Sequence, residues 1–242
     1  MRNLIFCPVG SPLTFDDRFD KENHWRYTKP NRLYETFVIQ YDSFEPEINT
    51  YDMVTQQTGF KWSMAKKLLP IIDYEKYDYI GFMDDDLITD IDNMNRAFTI
   101  AKEKDLKLFQ LSVTNDSDMF WPILVNKPGI KYTKTNFIEV MGPFIHTSLI
   151  PVCLELWNEY DIYSGWGFDK VLCDLTKTDA AVIHASQMYH PKKPSSYNKS
   201  NAFAEMDNLT DKVMPKFMKN KYNEEWSFKE SQIEKEIVME IA

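Results

Sequence analysis

Apolar positions fall in short runs through the first half of the chain, and these runs alternate with segments of helical spacing. Asn3–Val9 is an apolar run stopped by Gly10-Ser11-Pro12, which predicts a buried strand entering a loop. Residues 12–33 are polar and aromatic without period, with Asp16, Asp17, Arg18 and Asp20 close together. They predict a long loop at a strand end, where function is often carried. Residues 36–41 read as a second strand ending at Asp42, and 59–72 place Phe60, Met64, Leu68 and Ile71 at helical spacing. Residues 77–83 form a third apolar run, stopped by Asp84-Asp85-Asp86. Helical spacing returns over 91–103 through Ile91, Met94, Phe98 and Ala101, and 107–111 is a fourth strand. Strands alternating with helices at these intervals predict crossover units, hence an α/β sandwich with a central, mainly parallel twisted sheet covered on both faces.

In the second half, 137–145 reads as a strand, 147–160 as a helix, 167–176 as a helix after a Gly-x-Gly turn, and 180–184 as a short last strand ending at His184. Residues 189–200 hold prolines, lysines and serines, a loop composition. From Ala202 onward Met206, Leu209, Val213 and Phe217 recur at helical intervals, and Ile233 and Ile237 repeat the pattern in a charged background. The expected organisation is one domain over 1–202 and a helical C-terminal extension over 203–242.

Composition narrows the function classes. The 242 residues are 43% hydrophobic and 14% aromatic, enough for a substantial core and incompatible with disorder or a fibre. Lys and Arg number 28 against 37 Asp and Glu, a net charge of −9 that repels nucleic acid and anionic membranes. Cys7, Cys153 and Cys173 form no C-x-x-C pair, so neither a disulfide framework nor a zinc knuckle is expected. No apolar run approaches the roughly 18 residues of a transmembrane segment. A cytoplasmic protein is the resulting expectation.

Three features carry chemistry. Asp84-Asp85-Asp86 ends an apolar strand, and three carboxylates there repel one another unless a cation or protons neutralise them. A hard divalent cation answers that requirement, and strand alternation turns Asp84 and Asp86 one way and Asp85 the other. An acidic turn capping the next helix is the alternative. The second feature is Ser164-Gly165-Trp166-Gly167-Phe168-Asp169, where Gly165 and Gly167 permit tight backbone near a ligand, Trp166 offers a flat face on which a sugar stacks, and Asp169 opens a helix as a candidate general base or a carboxylate favoured by the helix dipole. The third is His184 at a strand end, followed by His190. Either imidazole, near the triplet, is a candidate ligand for Mn2+.

Asp84-x-Asp86 behind an apolar strand, then Trp166-Gly167-x-Asp169, then a strand-terminal His, resembles the order found in metal-dependent glycosyltransferases of the GT-A fold. With Val9-Gly10, Tyr41-Asp42, Lys61-Trp62, Ala65-Lys66, Tyr77-Asp78-Tyr79-Ile80, Glu139, Met141, Pro143 and Val182-Ile183-His184, the chain resembles a plant and bacterial glycosyltransferase-like family of the nucleotide-diphospho-sugar transferase superfamily over residues 3 to about 190. The segment after Met188 departs from the Gly-rich stretch of that family. The resemblance implies transfer of a sugar from a nucleotide-diphosphate donor to a glycan or glycoconjugate hydroxyl, with Mn2+ or Mg2+ as cofactor. It implies that Asp86 and His184 hold the metal, with Asp84 acting through water or the ribose. Asp42 would read the base or ribose, Val9, Gly10 and Ser11 would border the nucleotide beside Asp85, and Lys66, Lys192 and Lys193 would offset diphosphate charge. Trp166 and Gly167 would line the sugar pocket. Asp169 matches the base of inverting members, and Glu139 is the rival base. A non-catalytic nucleotide-sugar binding protein on the same fold, a metal-dependent phosphotransferase and a scaffold are the competing classes.

Overall fold

The computed structural model describes residues 2–10, 12–42, 51–119, 121–192, 198–228 and 236–241. Among these, nine strands form one sheet: β1 Asn3–Val9, β2 Glu35–Gln40, β3 Met53–Gln56, β4 Tyr79–Phe82, β5 Leu108–Val113, β6 Ile130–Thr135, β7 Phe144–His146, β8 Ala180–Met188 and β9 Glu236–Ile241. Their order is β3-β2-β1-β4-β7-β5-β8-β6-β9. Strands β3, β2, β1 and β4 are parallel, β7 runs against β4 and β5, β8 is parallel to β5, and β6 runs against β8 and β9. The sheet is thus mainly parallel in direction, with β6 and β7 reversed. The helices are α1 Lys61–Leu68, α2 Ile91–Glu103, α3 Ile150–Asn158, α4 Phe168–Thr176, α5 Lys199–Asn208 and α6 Met214–Tyr222, with a π-helical turn Leu209–Val213 between the last two.

Period-two alternation in β1 explains the layering. Leu4 and Phe6 share a core with Trp62 and Met64 of α1, Trp157 of α3, Val171 of α4 and Met214 and Phe217 of α6. Ile5, Cys7 and Val9 face the opposite core, where Met94, Phe98 and Ala101 of α2 pack with Trp25 and Tyr34 from the long loop. Buried on both faces, β1 has no polar position to spend except Asn3, whose amide donates to Leu33 O at 2.8 Å.

Departures from the sequence expectations have local causes. The strand expected over 137–145 is confined to Phe144–His146, because Gly142-Pro143 interrupts ladder formation before it. Strands β3 and β6 carry no apolar run and escaped the reading: β3 has no buried position, and β6 buries Tyr132 together with the polar Thr133 and Thr135, so that pairing with β2 and β8 marks them. The last expected strand extends four residues past His184 to Met188, since its polar residues find partners: Ser186 O accepts from Ser112 Oγ at 2.9 Å, and Gln187 N–H donates to Asn93 Oδ1 at 2.9 Å. The helical tail expected through Ile237 ends with α6; Ile237 belongs to β9, which pairs with β6. Segment 199–222 shares the core of α3 and α4. No helix among the described residues is long and apolar enough to cross a membrane.

Candidate active site

Strand direction brings the chemistry-bearing residues to one edge. The carboxyl ends of β1, β2, β4 and β8 lead into Gly10, Tyr41-Asp42, Asp84-Asp85-Asp86 and His190, and reversed β7 brings the segment before it, containing Glu139, to the same edge. The chain leaves β1 for β2 on one side and reaches β4 on the other, the kind of switch point where open α/β sheets bind ligands.

The triplet splits by orientation. Asp85 turns back to β1 and accepts the Gly10 N–H at 3.0 Å. Asp84 pairs with Lys61 (Nζ to Oδ1, 2.6 Å), and Asp86 faces His190 (Oδ2 to Nε2, 3.7 Å). The cap of α2 is Asp90, which accepts from Asn93 N–H, so the triplet is not the helix cap. Burial raises the Asp84 pKa and the charge of Asp86 adds to this, while Lys61 opposes it. Tyr41, 38% exposed, lies so close to Gly10 that a Cβ there would meet its ring at 2.2 Å. Burial, then the charges of Asp85, Asp42 and Asp86, raises its phenol to about 12.

Lys61 went unassigned in the sequence reading. It opens α1, its side chain is 7% exposed, and its ammonium also donates to the carbonyls of Phe82 (3.1 Å), Val140 (2.6 Å) and Met141 (3.0 Å). The carboxylate-rich strand end is thereby tied to the segment following Glu139. The sequence marked it only as part of the Lys61-Trp62 piece of the resemblance, with no role attached. Lys66, by contrast, donates to Tyr160 O at 3.2 Å and joins α1 to the end of α3 rather than to the carboxylates.

The histidines exchange roles. His184 is 4% exposed inside the sheet, its Nε2 paired with Thr133 Oγ1 at 3.1 Å and its Nδ1 accepting from Lys127 N–H at 3.2 Å. Both ring nitrogens are spent on structure, so the ligand role expected of His184 does not fit. The cause is the longer β8, which moves the strand-terminal imidazole to His190. There Nδ1 donates to Asp118 O at 2.6 Å, directing Nε2 at Asp86. Burial works against charge on His190, but its interaction with Asp86 more than offsets this and carries its pKa up to about 9. Among the described residues no group of three or more His, Cys, Asp or Glu side chains could hold a metal ion alone. Asp86 and His190 are two donors of the required chemistry at this edge, the ring being oriented by the Asp118 carbonyl, and an ion bound between them would have to displace the proton that Asp86 holds on the imidazole.

Across this edge lie two buried carboxyls. Asp169, 9% exposed in the first turn of α4, accepts the Lys170 N–H at 2.9 Å, and burial raises its pKa to about 6. Glu139 has Oε2 buried without a hydrogen-bond partner; burial, then the charge of Asp169, raises it to about 7. The charges of His190 and Asp84 also act on Glu139, in opposite directions. The turn leading to Asp169 requires Gly165: its φ is +81°, and a Cβ would strike the Trp62 ring at 2.1 Å. Gly167 precedes α4, and the half-buried Trp166 meets Phe203 edge-on at 5.0 Å. Val9 closes β1, while Asp42 and Lys192 are exposed; Ser11 and Lys193 lie outside the described residues.

The chain matches no family model and no curated protein sequence. Among solved structures its fold is that of TarS of S. aureus, a glycosyltransferase: the TarS fragment 1–349 superposes with a TM-score of 0.53 at 12% identity, over 91% of this chain and 66% of that one. The same fragment in complex with UDP-GlcNAc gives 0.56 at 12% identity, over 91% and 67%. A longer TarS structure gives 0.50 at 11% identity, over 92% of this chain and 44% of that one. The chain thus spans about two thirds of the fragment (66%), and the likeness is one of GT-A fold.

Proposed function

We propose that this chain is a metal-dependent, inverting glycosyltransferase that moves a sugar from a nucleotide-diphosphate donor to a hydroxyl of a glycan or glycoconjugate. The observation that carries the reading is the sheet edge that gathers Asp84 with Lys61 and Asp86 with His190, next to the segment of the buried Glu139, on which the charge of Asp169 acts. The binding of UDP-GlcNAc by the TarS fragment supports a nucleotide-sugar donor.

Asp86 and His190 would hold Mn2+ or Mg2+ in this reading, and such an ion would supply Lewis-acid stabilisation of the departing diphosphate. Tyr41 presents its ring to the nucleobase, and Asp42 accepts from base or ribose. Lys61 keeps Asp84 and the carbonyls of Phe82, Val140 and Met141 in place, so that the edge does not rearrange when donor charge arrives. Trp166 lines the sugar subsite. Asp169 takes the proton from the acceptor hydroxyl as its oxygen attacks the anomeric carbon from the face opposite the leaving group, which inverts the configuration. Burial raises both carboxyls, Asp169 to about 6 and Glu139 to about 7, and the charge of Asp169 adds to the rise at Glu139, which leaves Glu139 as the rival base.

Incubation of the protein with UDP-sugars and Mn2+, with and without simple saccharide acceptors, tests the reading. Release of UDP that depends on Mn2+ and on Asp169, with a product of inverted anomeric configuration by NMR, is expected. Binding of UDP-sugar without turnover would make the chain a non-catalytic binder, and a retained anomer would overturn the base assignment.

A further inference from the structure

The helices beyond residue 198 reach the catalytic edge through one carboxylate. Glu205 of α5 is 9% exposed, and its oxygens accept four hydrogen bonds from consecutive residues. Oε1 takes the N–H groups of Tyr163 (2.9 Å) and Gly165 (3.1 Å); Oε2 takes the N–H (2.6 Å) and hydroxyl (2.7 Å) of Ser164. Bonds to an ionised acceptor are short and strong, and three amides converging on one carboxylate fix the backbone that carries them. The restraint continues forward: Ser164 Oγ accepts the Trp166 N–H at 3.2 Å, and the Gly167 that follows lies against Met206, one residue from Glu205, where a Cβ would come within 3.0 Å of Met206 Cγ. Phe203, one helical turn earlier in α5, meets the Trp166 ring. Asp169 stands two residues beyond Gly167. Backbone at Gly165 and Gly167, with φ of +81° and +90°, has no side chain of its own to hold it, so its geometry is imposed from outside.

We propose that Glu205 is a positioning residue for the transfer reaction: it holds the 163–167 turn, and through it the Asp169 carboxyl, in the geometry that the chemistry requires. α5 is therefore a working part of the active centre. The inference rests on Asp169 being the base. A carboxylate that only satisfied buried amides would contribute stability alone, and its loss would cost the same whether or not Asp169 were present.

Glu205→Gln keeps the size of the side chain but sets an NH2 group against an amide donor. Measured on the full chain with UDP-sugar and Mn2+, kcat should fall on the order of 10²-fold, the scale of a displacement of about 1 Å at a reacting group. UDP affinity should stay within about threefold of the parent, since the donor-phosphate residues are untouched. Added to Asp169→Asn, the same substitution should cost less than about threefold more, because a positioning effect vanishes with the group it positions. A kcat within about threefold of the parent, or the full penalty repeated in the Asp169→Asn background, overturns the proposal. Should Glu205→Gln fail to fold, Ser164→Ala removes one of the four bonds and the link to Trp166, and a smaller loss of kcat that likewise disappears without Asp169 is expected; an unchanged kcat overturns the proposal. Amide exchange at Tyr163, Ser164 and Gly165 reads the tether without activity, and unchanged exchange in Glu205→Gln refutes it. If Asp169→Asn alone retains parental transfer, the base assignment fails and this proposal with it, while faster exchange would still report the tether, so the two failures are told apart.

Discussion

Replacing Asp169 by Asn should stabilise the protein while it disables transfer. In the folded chain the carboxyl ionises near pH 6 because of burial; its ordinary value is 3.8. The folded state therefore binds more protons than the unfolded one across that interval, and this group's contribution to stability falls as pH rises through it. At about 1.4 kcal/mol per pH unit, the deficit is about 0.5 kcal/mol at pH 4 and about 3 kcal/mol at pH 8. Asn has no charge to bury and keeps an oxygen for the Lys170 N–H, so the variant should recover most of that deficit at pH 8 and almost none at pH 4. In a chain of this length each kcal/mol corresponds to about 2–4 °C in melting temperature. Transfer should fall by about 10² to 10⁴, the contribution of a positioned base, with UDP binding unchanged. Parallel urea unfolding at both pH values and initial transfer rates at pH 8 measure the two arms. A variant less stable than the parent at pH 8, or one with the same gain at both pH values, would refute the burial argument; transfer within about threefold would refute the base.

Lys61→Met should cost about 1–3 kcal/mol in urea unfolding, because Asp84 and the carbonyls of Phe82, Val140 and Met141 lose the Lys61 ammonium, and the Lys61→Met, Asp84→Asn pair should cost less than the sum of the singles. His190→Ala should abolish the enhancement of UDP binding by Mn2+ in calorimetry, whereas His184→Ala should lower the melting temperature and leave that enhancement intact; loss of the enhancement in His184→Ala alone would restore His184 as ligand. Trp166→Ala should weaken UDP-sugar binding more than UDP binding, and an equal loss for both would remove Trp166 from the sugar subsite.

Much of the first half of the fold was written in burial. β1, β4 and α2 could be read because their residues are apolar wherever the two cores need them, and a doubly covered strand has almost no other option. What escaped was structure specified by pairing rather than by burial. β3 and β6 are held by neighbours, and β8 runs on through Ser186 and Gln187 because Ser112 and Asn93 lie opposite. That last case moved the site as well as the strand. Once polar residues are read as a strand end, His184 becomes the terminal imidazole, and only the partners of those residues show that the chain continues to His190. Lys61 and Glu205 were hidden for the same reason. A charged residue inside an apolar pattern announces that something must compensate it, yet its partners, Asp84 and the 163–165 amides, are distant in sequence and converge only in the folded chain. Asp84, Asp86 and Asp169 were legible because each follows a local stop signal, an acidic run or a glycine turn, that marks where an element ends. The groups proposed to react thus sit at boundaries that a sequence displays, and the groups that hold them sit where only tertiary contact gives them meaning.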